Sequence, residues 1–236
     1  MIIERLNAGN LMERFEEKGI EALSGIVRSV TDSLKDVDID ALEAHIAQGI
    51  VPSARRFGKG AALLGPYGYF HPSIIGDVAD NTSRGRLLKK GEGSLYTYDF
   101  YASGEIAAIE FPSMACRTLC EKDGDISAYL TYEARANAPR EINSITLIRH
   151  GGSRVEAMLE MGLIGRMMRL GHISVETYET REDGERICNW LYVGPTEESF
   201  KVYQCLKMPL RVIYDDRGKI VGCESLPTEE VGLIEL

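Results

Sequence analysis

The chain has 236 residues, 44% of them hydrophobic and 27% charged, with a net charge of −9. A chain of that size buries a core without needing metal or disulfide, and its composition excludes a fibrous or disordered protein. The negative charge repels nucleic-acid phosphates in the long-range field, so we expect no nucleic-acid partner.

Charge is unevenly spread: residues 1–50 sum to −5, residues 51–93 to +4 and residues 94–236 to −8. An acidic surface of this kind favours encounter with a basic protein. No apolar run approaches the roughly 18 residues of a membrane span. Residues 1–10 carry Glu4 and no hydrophobic core of a signal peptide. Five cysteines, an odd number without close-set spacing, fit reduced thiols. The expected location is cytoplasmic, away from membranes.

Residues 1–50 read as a helical segment with two amphipathic helices. Asn10 is the predicted cap of the first, whose apolar positions Leu11, Phe15, Leu23, Ile26, Val30 and Leu34 run at helical spacing, weakened by Gly19 and Gly25. The second starts near Asp38 or Asp40, carries Ile39, Leu42 and Ile46 on one side, and stops at Gly49.

Residues 51–93 form a basic Gly/Pro-rich connector with seven Lys/Arg, three Asp/Glu and eight glycines. That density breaks long regular elements, while Phe57, Tyr67, Tyr69 and Phe70 argue that the segment packs. Arg55, Arg56, Lys59, Arg84 and Arg86, with His71 nearby, are the candidate ligand-binding residues for a small anion. Gly58-Lys59-Gly60 lacks the spacing of a phosphate-binding loop, so a nucleotide site of the familiar kinds is not expected.

From residue 94 to 236 the pattern is short β-runs separated by Gly turns. Gly104, Gly124, Gly184 and Gly218 are each followed two or three residues later by Ile, a hairpin signal because Gly accepts the positive φ of tight turns. About ten strands linked this closely must be antiparallel, and a sheet that wide is expected to curl into a half-barrel or barrel. In the strand Glu185–Val193, Ile187, Leu191 and Val193 point one way and Cys188, Trp190 and Tyr192 the other, marking it as central. One helix is predicted inside the meander, over 153–170, capped by Ser153 and ended by Gly171. Its residues Met158, Met161, Met167 and Met168 lie among Leu and Ile around most of the circumference.

The fold class is therefore α+β: N-terminal helices, a connector, then a curved antiparallel meander packed on one Met-rich helix. No motif has catalytic or metal-ligand spacing. Cys116 and Cys120 are not C-x-x-C, His45, His71, His150 and His172 lack a fixed partner, and the carboxylate pairs fall in turns. We accordingly assign no catalytic residue, no metal and no cofactor. The leading expectation is a non-catalytic binding protein, immunity- or antitoxin-like, with a basic protein as partner. The alternatives are an enzyme or carrier for an anionic small molecule held between the connector and the sheet, and a homo-oligomer paired through edge strands.

Residues 214–220 (YDDRGKI) resemble the Tyr-Asp repeat of large bacterial surface and toxin-shell proteins, and Tyr98-Asp99 followed by Gly104 resembles it with an insertion. The same letters arise wherever a Tyr strand meets an Asp/Gly hairpin, and no function is carried over.

Overall fold

A computed structural model describes residues 1–59, 86–112, 115–135, 138–152, 154–165, 168–196, 199–214 and 220–236. The N-terminal segment forms α1 (Ile2–Leu6), α2 (Ala8–Lys18), a 3-10 turn over Gly19–Ala22, α3 (Leu23–Leu34) and α4 (Ile39–Gln48). The first predicted helix is thus two, α2 and α3, joined by the 3-10 turn, and α1 precedes them. Asn10 lies inside α2, and the chain turns at Asn7 and Gly19, both with positive φ. The second matches its prediction: Asp38 accepts the Ala41 N–H at 3.0 Å and Gly49 is the C-cap.

Thirteen strands follow, all paired antiparallel: β1 (Arg56–Lys59), β2 (Arg86–Leu88), β3 (Tyr96–Phe100), β4 (Ile106–Phe111), β5 (Cys116–Asp123), β6 (Ile126–Glu133), β7 (Ile142–Gly151), β8 (Arg154–Ile164), β9 (Arg169–Thr180), β10 (Arg186–Thr196), β11 (Ser199–Tyr214), β12 (Ile220–Ser225) and β13 (Glu229–Glu235). From β3 to β12 each strand neighbours the next in sequence. β1 lies between β3 and β2, and the long β11 pairs β12 with one half and β13 with the other. The sheet is open, so the closed-barrel alternative does not hold among the described residues. Three of the four expected turn glycines, Gly104, Gly124 and Gly184, have positive φ between paired strands; Gly218 lies outside the described residues.

The predicted Met-rich helix over 153–170 is a correction. Its described residues form β8, a turn in which the Met168 N–H donates to the Gly165 carbonyl, and the start of β9; the proposed cap, Ser153, lies outside the described residues. Ala157, Leu159, Met161 and Leu163 take one face of β8, while Met158 packs on the other with Ile148 and Val155. A strand apolar on both faces imitates a helix apolar all round, and Ala, Leu, Met and Glu favour helix intrinsically. Pairing with β7 and β9 along the length of the strand overrides that preference.

The helices that do form pack on one face of the sheet. Cross-strand register places Ala108, Leu119, Leu130, Ile145, Met161, Ile173, Val193 and Cys205 in one continuous row over β4–β11. All eight are buried in the same core as Leu11, Leu23, Ile26 and Val30. Polar residues on this face tie helices down. The Glu121 carboxylate accepts the Ile2 and Ile3 N–H groups at the start of α1, at 2.5 and 3.2 Å. Arg149 pairs Glu16 of α2, and Arg117 pairs Glu43 of α4 at 2.8 Å.

Candidate functional site

The connector enters and leaves the sheet at one place. Lys59 at the end of β1 is the register partner of Arg86 at the start of β2, and β1 also pairs β3. Gly58 permits this approach, since a Cβ there would fall 2.8 Å from the Tyr98 ring. His71 and Arg84 lie outside the described residues.

The remaining candidate cations do not act as one group. The Arg55 guanidinium donates to both oxygens of the buried Asp99 at 2.6 and 3.0 Å, and that hydrogen bond raises its already high pKa. Asp99 lies 3.9 Å from Arg117, which continues through Glu43 to Arg140 and Asp40. Arg55 therefore belongs to an ion-pair chain that fastens α4 and the segment before β1 to the sheet. Arg56 and Lys59 are exposed. Arg86 is placed only by its register.

A different cluster stands out on the opposite, helix-free face. Its buried groups, centred on Tyr98 and Ile109, on Cys188 and Leu210, and on Ile148 and Met158, include no α-helical residue. Among the described residues, four of the five buried polar side chains, Thr118, Ser127, Thr146 and Glu176, lie on this face. Glu176 is 1% exposed and accepts a hydrogen bond from the Tyr178 hydroxyl. Beside it, register sets Trp190 between Glu176 and Met208, and Tyr192 between Ser174 and Leu206.

Three rings meet there at partly exposed positions. The His172 and Tyr192 rings stack with centroids 6.1 Å apart and planes 20° from parallel, and Trp190 meets Tyr192 edge-on at 6.1 Å. The Trp190 indole N–H donates to Ser174 Oγ at 2.9 Å. Two of the rings lie down over glycines: a Cβ on Gly162 would meet the His172 ring at 2.3 Å, and one on Gly194 the Tyr192 ring at 2.8 Å. Leu206 and Met208 are half-buried alongside, and Leu233 of β13 is 65% exposed. Carboxylates border the patch: Glu160 lies 3.8 Å from His172 Nε2, and Glu230 is the register partner of Leu206.

The patch combines partly exposed aromatic and aliphatic side chains with carboxylates at its margin. The even-numbered residues of 185–193 carried the sequence signal, since Trp190 and Tyr192 were assigned to one side. Glu160, Leu206 and Leu233 gave none, because they join the patch only through strand register. A second acidic concavity, about 560 Å3, lies between α1 and α4, with Leu6, Leu42 and Leu130 at its floor and Glu4, Asp36 and Asp38 around it.

Cys120 and Cys188 are buried, and burial pushes both thiols well above the ordinary range, so neither is a ready nucleophile. His150 bonds Ser127 Oγ at 3.0 Å and has its pKa lowered, first by burial and then by Lys122. Among the described residues no group of three His, Cys, Asp or Glu side chains is placed to hold a metal, and no helix is long and apolar enough to cross a membrane. No family model, no curated protein and no solved structure matches this chain.

Proposed function

We propose that this chain is a non-catalytic binding protein whose partner is a basic protein, docked on the helix-free face of the sheet around Trp190, Tyr192 and His172. The observation that carries the reading is the stacked ring cluster, set among Leu206, Met208 and Leu233 and bordered by Glu160 and Glu230. Trp and Tyr at the centre of a contact surface contribute most of the binding energy in protein complexes. An acidic border and a net charge of −9 raise the rate of encounter with a cationic partner. In this reading the sheet curls about α1–α3, the five free thiols stay reduced in the cytoplasm, and the partner is neutralised by occlusion as in an immunity or antitoxin pair. Nucleic acid and membranes are not partners.

The test is capture from native lysate at low salt. Wild type is expected to retain a basic protein that is released as salt rises, and Tyr192→Ala is expected to lose it. Capture of nothing, or capture unchanged by Tyr192→Ala, contradicts the reading.

A second reading, binding of an anionic small molecule at the start of the connector, is favoured by exposed Arg56 and Lys59, the latter beside Arg86 in register. It predicts that phosphate or carboxylate ligands raise the melting temperature, and that replacing Arg56 and Lys59 with Ala removes the rise.

A further inference from the structure

On the helix-covered face the helices stop before the sheet does: α1 and α2 touch β5–β7, whereas the strands continue to β13. At that boundary lies a cavity of about 480 Å3, a size typical of small-molecule sites. Val175 and Leu191, cross-strand partners, form its floor, and Phe15 of α2 and Ile20 of the following 3-10 turn form one wall. Its polar groups gather at the other side. Thr177 and Asn189 are also cross-strand partners, and Lys207 stands directly opposite Leu191. The Lys207 side chain is 53% exposed and its ammonium lies 3.8 Å from the carboxylate of Glu229, whose side chain is 70% exposed.

We propose that this cavity binds an amphiphile with a single carboxylate, its hydrocarbon body on Val175, Leu191, Phe15 and Ile20 and its head on Lys207. The apolar body follows from the floor and wall, because buried hydrocarbon gains free energy in proportion to area. The anionic head follows from the one cation at the polar side. An ammonium has three donors, so Lys207 accepts a ligand carboxylate while Thr177 and Asn189 hydrogen-bond its edge. Glu229 competes for the same ammonium, and the ligand head displaces it. Trp190, whose ring belongs to the cluster on the opposite face, also borders the cavity, and the site is tested separately from the proposed protein partner.

The experiment is calorimetric titration of the full chain with decanoate, decan-1-ol and methyl decanoate, each below its aggregation limit. Saturable binding of decanoate is expected at one site, with the alcohol and the ester clearly weaker. Lys207→Met is expected to weaken decanoate by roughly three- to five-fold, the scale of one exposed ion pair. Glu229→Gln is expected to tighten it by a similar factor. Opposite signs from two exposed neighbours on adjacent strands are not produced by a loss of folding. No saturable heat with decanoate overturns the proposal. Equal affinity for the ester also overturns it, because the site would then take an acyl chain attached to a partner. Decanoate affinity indifferent to Lys207→Met overturns the role of the head group and with it the ligand class.

Discussion

The two faces of the sheet are made from alternate residues of the same strands, yet they have different compositions. Toward the helices, the row from Ala108 to Cys205 crosses eight strands without a polar residue, and two ion pairs on that face, Arg117–Glu43 and Arg149–Glu16, reach helices. Away from them, the next positions along the same strands are Thr118, Ser127, Thr146 and Glu176, with Trp190 and Tyr192 partly open to solvent. One face spends its side chains on cohesion, whereas the other keeps polar and aromatic groups that cohesion does not require. The proposed docking surface lies on the second of these faces.

Equal truncations on the two faces sharpen that contrast. The largest effect is expected from Leu130→Ala on the covered face, where a fully buried side chain sits between Leu119 and Ile145. Chemical denaturation should show a loss of about 2–5 kcal/mol. A loss below about 1 kcal/mol would mean that the helices do not seal this face.

Asp99→Ala should come next. It leaves Arg55 without its carboxylate and separates it from Arg117, so the segment before β1 loses its tie to the sheet while Arg117 still holds Glu43 of α4. The expected cost is roughly 2–4 kcal/mol, with Arg55 being half exposed and so free to turn into water. Amide exchange should show the segment around Arg55, just before β1, opening first. Protection lost evenly over the whole chain would contradict the fastening role.

The smallest effect is pH-dependent and belongs to the helix-free face. His150 has its pKa lowered by burial and by Lys122, with Asp125 and Glu105 opposing. The folded state therefore resists protonation, and the unfolded chain takes up the proton first as pH falls. The sign is a loss of stability as pH drops below the ordinary histidine value of about 6.5 and continues through the lowered folded value. Urea midpoints at pH 7.5 and 5.5 should differ in wild type and differ less in His150→Asn. An unchanged slope in that variant would assign the titration elsewhere.

How much of this was legible in the residues depends on how local each signal is. Asp38 as a cap, Gly49 as a stop and the hairpin glycines Gly104, Gly124 and Gly184 were readable because capping and positive φ are properties of one position. The antiparallel meander was readable because short turns leave no room for crossovers. Residues 154–164 were not, since strong helix formers that are apolar on both faces satisfy either period, and only their pairing with β7 and β9 decides. The strands β1, β2 and β13 were also missed; the first two are short, and Gly232 interrupts the third. The ring cluster was half visible, through Trp190 and Tyr192 on one side of a strand, while Leu233 joins it from some forty residues further along the chain. The cations that drew most notice divide by role once their partners are known, with Arg55 held by Asp99 and Arg56 and Lys59 facing solvent.

The most direct measurement pairs one substitution from each face in the same capture experiment at low salt. Tyr192→Ala should keep its denaturation midpoint close to wild type and lose the basic partner, whereas Leu130→Ala should lose stability yet still retain the partner under conditions where it is folded. Partner retention by Tyr192→Ala, or its loss in folded Leu130→Ala alone, would contradict the division of labour between the faces.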